Sequence, residues 1–216
     1  MSRRLKSPTR TISNRGDHPR FVGIFHSKKS TRQPSVFDSI SSLFCAIYLD
    51  WRRDVVTFEF EAQKISFLTP GSPKETSCIP DYEVVFDTGE VGYVDAKYDP
   101  DAMRDTERLK LAAFSAHCQR EGIRHEVVFR SELEQDGFIQ TIQLLRRYAT
   151  LEFPSRTLRR VVDEFSGHPE ANIIEWQKRT RGSALPLAAV YRLLYEGALP
   201  LRFGPLLNSE LQQWLG

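Results

Sequence analysis

Two neighbouring apolar runs, Tyr82 to Phe86 and one from Val91 to Val94, flank the polar Asp87-Thr88-Gly89-Glu90 and read as strand, tight turn, strand. Alternation with period two predicts strands. Asp-x-Gly predicts a tight turn, because Asp folds its side chain onto nearby backbone and Gly tolerates positive φ. Shorter alternating runs predict a strand from Phe21, with Lys28 and Lys29 at its exposed end, and others at 55–61, 64–68 and 125–130. The stretch 70–78, rich in turn residues, reads as a loop.

Recurrence at three and four predicts helices. Over 35–50, Phe37, Ile40, Phe44, Ile47 and Tyr48 share one face, with Ser35 as N-cap and Asp38 in the first turn. Over 101–121, Leu109, Ala112, Ala113 and Ala116 form a small-residue face, with Asp99 or Asp101 as cap and Gly122 as C-cap. Strand 91–97, helix and strand 125–130 have βαβ form. That form predicts parallel pairing with a right-handed connection.

The pattern changes after residue 132. Helices are expected over Ile139 to Tyr148, Arg156 to Phe165, from Ile173, over Pro186 to Glu196, and from Asn208 to Trp214. Leu199 to Phe203 reads as extended. Together these predict a small helical or winged-helix-like module. Its Lys178, Arg179, Arg181 and Arg192 suit either an acidic surface such as DNA or a plain solvated face.

The domain organisation is thus a basic arm at 1–20, a core at 21–132 and a helical C-terminal domain at 133–216. The arm carries Arg3, Arg4, Lys6, Arg10, Arg15 and Arg20 with few apolar residues, which suits either a phosphate-binding arm or a solvated tail. Net charge over the 216 residues is only +2, so any nucleic-acid surface must be a local patch. Cys45, Cys78 and Cys118 are widely spaced with no CxxC. That argues against a zinc site or disulfide scaffold and suits a reducing cytoplasm. No apolar run approaches the ~20 residues of a membrane span, and the basic N-terminus lacks the apolar stretch of a signal peptide.

Candidate chemistry sits on the hairpin. Asp81 opens its first strand and Asp95 closes its second, so both carboxylates fall at one end. Lys97, two residues after Asp95, shares its face. Two acids and a lysine at one corner of a sheet suit metal-dependent phosphodiester cleavage, with carboxylates for Mg²⁺ and a lysine to orient water or offset charge. An ordinary hairpin with exposed acids and a lysine partner is the plain alternative. His26 stands beside no other ligand type and reads as a surface or satisfied core residue.

The pattern Pro80-Asp81 followed by Asp95-Ala96-Lys97 resembles the PD-(D/E)xK nucleases, and the order of elements around it resembles their α/β core, a mixed sheet flanked by helices. More specifically, the chain resembles the TnsA endonucleases of heteromeric transposases. The resemblance runs from Gly23-Ile24-Phe25-His26-Ser27-Lys28-Lys29 through Phe37-Asp38-Ser39, Leu49-Asp50-Trp51, Asp54-Val55-Val56 and Phe58. It continues in Leu193-Leu194-Tyr195-Glu196-Gly197 and Leu206-Leu207. It implies a prokaryotic, cytoplasmic, nucleoid-associated DNA endonuclease that cuts the 5′ strand ends of a mobile element. It also implies a TnsB-like transposase as partner, a TnsC-like AAA+ ATPase regulator at the C-terminal region, and no membrane. Carried over by motif, Asp81 and Asp95 would bind Mg²⁺ (Mn²⁺ substituting), the Ala96 carbonyl would be a further ligand, and Lys97 would assist catalysis. There is one departure. The family's first-helix glutamate falls here at Ser42, a poor ligand for a hard cation. The resemblance therefore leaves three arrangements open: two acids suffice, Asp38 supplies the missing charge, or the site is degenerate and the subunit serves assembly. A stand-alone PD-(D/E)xK nuclease is a further alternative.

Overall fold

A computed structural model of the chain describes residues 23–31, 35–61, 63–68 and 75–204. The basic arm, residues 70–74 of the expected loop, Leu206-Leu207 and the closing helix at 208–214 lie outside the described residues. The chain forms two compact units, 1–132 and 133–216.

The first unit is α/β. Strands β1 (Gly23–Phe25) and β2 (Ser35–Phe37) pair antiparallel, and helix α1 follows at Ile40–Trp51. This corrects the expected helix start. Ser35 and Phe37 are both buried across the half-buried Val36, a strand pattern, and Phe37 meets Phe25 edge-on at 5.9 Å. Ser39 is the N-cap instead, accepting from the Ser42 amide at 3.0 Å, so Asp38 precedes the helix rather than sitting in its first turn. Nor is Lys29 an exposed strand end. It is half-buried and its ammonium donates to the Arg52 carbonyl.

Next come β3 (Val55–Phe60), β4 (Ile65–Leu68), β5 (Glu75–Cys78), β6 (Tyr82–Phe86) and β7 (Val91–Lys97). Helix α2 (Asp105–Arg120) and β8 (Arg124–Phe129) complete the core. The central sheet is mixed, in the order β3-β6-β7-β8. The β6–β7 hairpin is antiparallel around a turn with Gly89 at φ 84°, and β7–β8 is parallel across α2, both as the pattern predicts. β4 and β5 form a separate antiparallel ribbon, so the expected loop at 70–78 ends in a strand.

Both faces of the sheet are covered. The Tyr82 hydroxyl donates to the Ser42 carbonyl, so Tyr82 and its cross-strand partner Val94 face α1. Tyr93 faces the other way, with its ring 5.9 Å from that of Phe114 on α2. Phe67, Tyr93, Phe114 and Cys118 form the core on that side, joined by Ile65, Cys78, Ala113 and Ile123. The expected small-residue face of α2 is therefore displaced. Leu109 is 71% exposed and Ala112 is exposed, while Phe114 and Cys118 carry the packing. The helix also starts later than expected. Arg104 is its N-cap, with its amide donating to Glu107, and Asp99 instead accepts the Asp101 amide at 2.7 Å. Gly122, at φ 66°, terminates the helix as predicted.

The second unit is helical among its described residues. A short helix α3 (Arg130–Leu133) leads into α4 (Phe138–Arg146), α5 (Ser155–Phe165), α6 (Ile173–Arg181) and α7 (Leu187–Tyr195). Helix α7 packs against α4, α5 and α6. Its Ala189-Val190-Tyr191 and Leu193-Leu194-Tyr195 are all buried, which is why it reads as apolar nearly all round. The extended piece contributes one isolated bridge, Ala171 to Leu201, and no hairpin among the described residues. Two of the basic residues flagged in this unit are committed locally. Arg179 stacks on Trp176 and donates to the Pro169 carbonyl, and Arg192 pairs with Glu196 and the Leu151 carbonyl. No helix among the described residues is long and apolar enough to cross a membrane.

Candidate active site

Register places the chemistry. The β6–β7 ladder runs from Val85↔Val91 to Tyr82↔Val94, so Asp81 and Asp95 lie just beyond its last pair, where the two strands part. The Asp81 side chain takes over there. Its Oδ2 accepts the Ala96 amide at 2.8 Å, while its carbonyl accepts the Glu61 amide at 2.9 Å. Lys97 Nζ reaches both acids, 3.2 Å from Asp95 Oδ1 and 3.5 Å from Asp81 Oδ2. The structure thus brings Asp81, Asp95 and Lys97 together on the face that α2 covers. A strand residue's N–H and C=O point to the same edge, so the Ala96 carbonyl leaves β7 on the Asp81 side.

The three groups line a cavity of about 250 Å³ with Cys78, Ile79, Glu107, Lys110, Leu111 and Phe114. Asp38 does not line it. Neither does Ser42, which is 4% exposed, with its hydroxyl 2.8 Å from that of Ser39 and its carbonyl bonded by Tyr82. The reason is geometric. Helix α1 covers the Tyr82 face, whereas Asp95 and Lys97 project from the opposite one.

Burial acts on all three charges, and their pairing decides the result. Asp81 is raised above the usual carboxylate range, chiefly because burial disfavours its charge, with Lys97 opposing the rise and Asp95 adding to it. Asp95 is also penalised by burial. The His125 hydrogen bond and Lys97 outweigh that penalty and hold it below the usual range. Burial alone would lower Lys97, but attraction to Asp81 and Asp95 raises it. The pair therefore splits: Asp95 holds its charge more firmly than Asp81, and Lys97 keeps its proton at neutral pH. Cys78 is pushed up to about 12, by burial first and the Asp95 charge second, so it lines the cavity as an unreactive thiol.

Comparison with known proteins adds no identity: no family model and no curated protein matches the chain.

Among the described residues, no three His, Cys, Asp or Glu side chains form a group that could hold a metal ion unaided. Mg²⁺ asks for less than that. It is commonly held by one or two carboxylates, with waters and substrate phosphate oxygens completing its shell. Two carboxylates converging on a shared cation, Lys97, with oxygen donors on a cavity wall, fit that requirement.

The pattern of the sequence did not single out His125, Ser115, Glu107 or Lys110. Glu107 and Lys110 reach the cavity from the first half of α2. His125 lies opposite Tyr93 in the β7–β8 register, on the face of Asp95. Its Nε2 is 3.0 Å from Asp95 Oδ2, and its Nδ1 is 2.8 Å from Ser115 Oγ. The βαβ prediction combined with strand alternation carries the signal for His125, once the parallel register is fixed.

Proposed function

We propose that the chain is a Mg²⁺-dependent DNA endonuclease with a PD-(D/E)xK-like core, acting as the TnsA-like subunit of a transposition system. The observation that carries this reading is the meeting of Asp81, Asp95 and Lys97, with one ammonium within 3.5 Å of both carboxylates on a cavity wall. Asp81 and Asp95, with the Ala96 carbonyl, would hold the ion. When bound, Mg²⁺ supplies Lewis acidity to the scissile phosphate and lowers the pKa of water. Lys97 remains protonated, so its part is to donate hydrogen bonds and offset charge on the phosphate, not to act as a base. The Ala96 amide holds Asp81 Oδ2, which fixes the rotamer of that carboxylate before substrate arrives. The resemblance supplies the rest: transposon-end DNA as substrate, a TnsB-like transposase beside it, and a TnsC-like ATPase on the helical unit.

The buried Ser42 favours a second reading, a catalytically degenerate subunit that serves DNA binding and assembly. Titrating Mn²⁺ and Mg²⁺ into the full chain with a DNA duplex present separates the two. Saturable binding that is lost in Asp81→Ala/Asp95→Ala supports the endonuclease. Binding independent of both acids, or none, supports the assembly subunit. Cleavage of the duplex without any partner protein would instead favour a stand-alone nuclease.

A further inference from the structure

The His125 side chain is buried, 3% exposed, and both ring nitrogens have partners. Asp95 Oδ2 can only accept while ionised, so Nε2 must carry a proton towards it. In the neutral ring Nδ1 is then the acceptor, and the Ser115 hydroxyl, 2.8 Å away, is the donor that suits it. Phe114 packs edge-on against the ring, 4.9 Å between centroids, and closes off rotation from the α2 side. The chain Ser115–His125–Asp95 therefore runs from α2 through β8 to β7. Ser115 does not line the cavity, so the chain ends away from the substrate side and offers no nucleophile there. At its other end, Asp95 has one oxygen fixed by His125 and the other turned to Lys97.

Resting on the nuclease reading, we infer that His125 is the positioning residue of the metal site. It orients Asp95 for the divalent cation, and Ser115 sets its tautomer. Support for Asp95 comes from Ser115 on α2 and His125 on β8, on the sheet face opposite α1, and so does not depend on position 42. Groups that hold a ligating carboxylate typically change metal affinity about tenfold to a hundredfold when removed.

The test is Mn²⁺ binding to the full chain with duplex DNA, read from the electron paramagnetic resonance of free Mn²⁺, with cleavage followed at each Mn²⁺ concentration after a TnsB-like transposase is added. His125→Leu keeps the bulk and loses the donor. It is expected to weaken Mn²⁺ binding by about tenfold to a hundredfold, with cleavage recovering at saturating Mn²⁺. His125→Gln, whose amide can still donate to Asp95, is expected to recover most of the affinity. Ser115→Ala is expected to weaken binding measurably, about twofold to tenfold. His125→Leu binding Mn²⁺ as tightly as wild type overturns the inference alone. So does equal impairment of His125→Leu and His125→Gln at every Mn²⁺ concentration, the mark of a purely structural histidine. If His125→Leu does not fold, Ser115→Ala decides, and wild-type affinity there overturns it. Wild-type protein with no Asp95-dependent Mn²⁺ binding overturns the nuclease reading and the inference together.

Discussion

The Ala96 amide donates to Asp81 Oδ2 at 2.8 Å, so a side chain continues the β6–β7 ladder where the two strands part. One carboxylate thus has a structural oxygen and a chemical charge, and substitution can separate them. Asp81→Asn can still accept the amide but carries no charge. It should fold with near wild-type stability and lose metal-dependent cleavage. Asp81→Ala leaves the amide without its acceptor and should also lose about 1–2 kcal/mol of stability. Urea denaturation alongside a cleavage assay checks both. Full cleavage by Asp81→Asn would remove Asp81 from the metal site.

Gly92 sits where β7 passes β8. A Cβ built there would meet the Arg124 carbonyl oxygen at 2.5 Å and Phe86 Cε2 at 2.9 Å. A backbone carbonyl inside a parallel ladder cannot swing aside, so Gly92→Ala must displace β8. The expected cost is about 1–3 kcal/mol. The same displacement moves His125 relative to Asp95, so Mn²⁺ binding should weaken in parallel. An alanine variant with wild-type stability would mean that β8 yields freely at this point.

The hairpin and the βαβ crossover were legible because their signals are local: short apolar runs, an Asp-x-Gly turn, and a glycine after the helix. Asp81, Asp95 and Lys97 came with them, since a hairpin register follows from its turn. The start of α1 did not. Ser35-Val36-Phe37 fits a strand as well as a helix face, and only pairing with Gly23–Phe25 decides it. The packing face of α2 was misplaced because Leu109 and its alanines suggest a stripe, whereas one large residue, Phe114, fixes the helix rotation. His125 was passed over because its partner is 30 residues away and is set by parallel register.

Trp176 is fully buried in the helical unit, edge-on to Phe165 at 5.7 Å, with Nε1 donating to the Pro200 carbonyl at 3.0 Å. Trp176→Phe removes both ring volume and that donor. The expected loss is about 2–4 kcal/mol, combining a cavity with an unsatisfied carbonyl. Tryptophan fluorescence and calorimetry would follow it. A loss below about 1 kcal/mol would mean that the Pro200 carbonyl finds water.

On the α1 face of the sheet, opposite the carboxylates, Arg52 is 9% exposed. Its Nε donates to Asp54 Oδ1 at 2.8 Å and its Nη2 to Glu126 Oε1 at 3.2 Å, while Arg124 stacks on Phe86 at 3.9 Å. Arg52→Met keeps the stem and removes the charge. Breaking a buried pair costs about 3–5 kcal/mol. Glu126 retains Arg124 and some solvent, so about 2–3 kcal/mol is expected here. The pairing also sets a pH dependence. Burial works to raise the Glu126 carboxyl, but Arg52 and Arg124 outweigh it and hold it below its ordinary value of 4.5. A carboxyl depressed in the folded state takes up its proton first in the unfolded chain. Its stabilisation is therefore complete above pH 4.5 and is lost as pH falls from there through the folded-state value. Glu126→Gln should flatten that part of the acid-unfolding curve while lowering stability at neutral pH. Chemical denaturation from neutral pH down to acid, compared between the two proteins, checks the sign. Parallel curves would mean that Glu126 is no better paired in the folded chain than in the unfolded one.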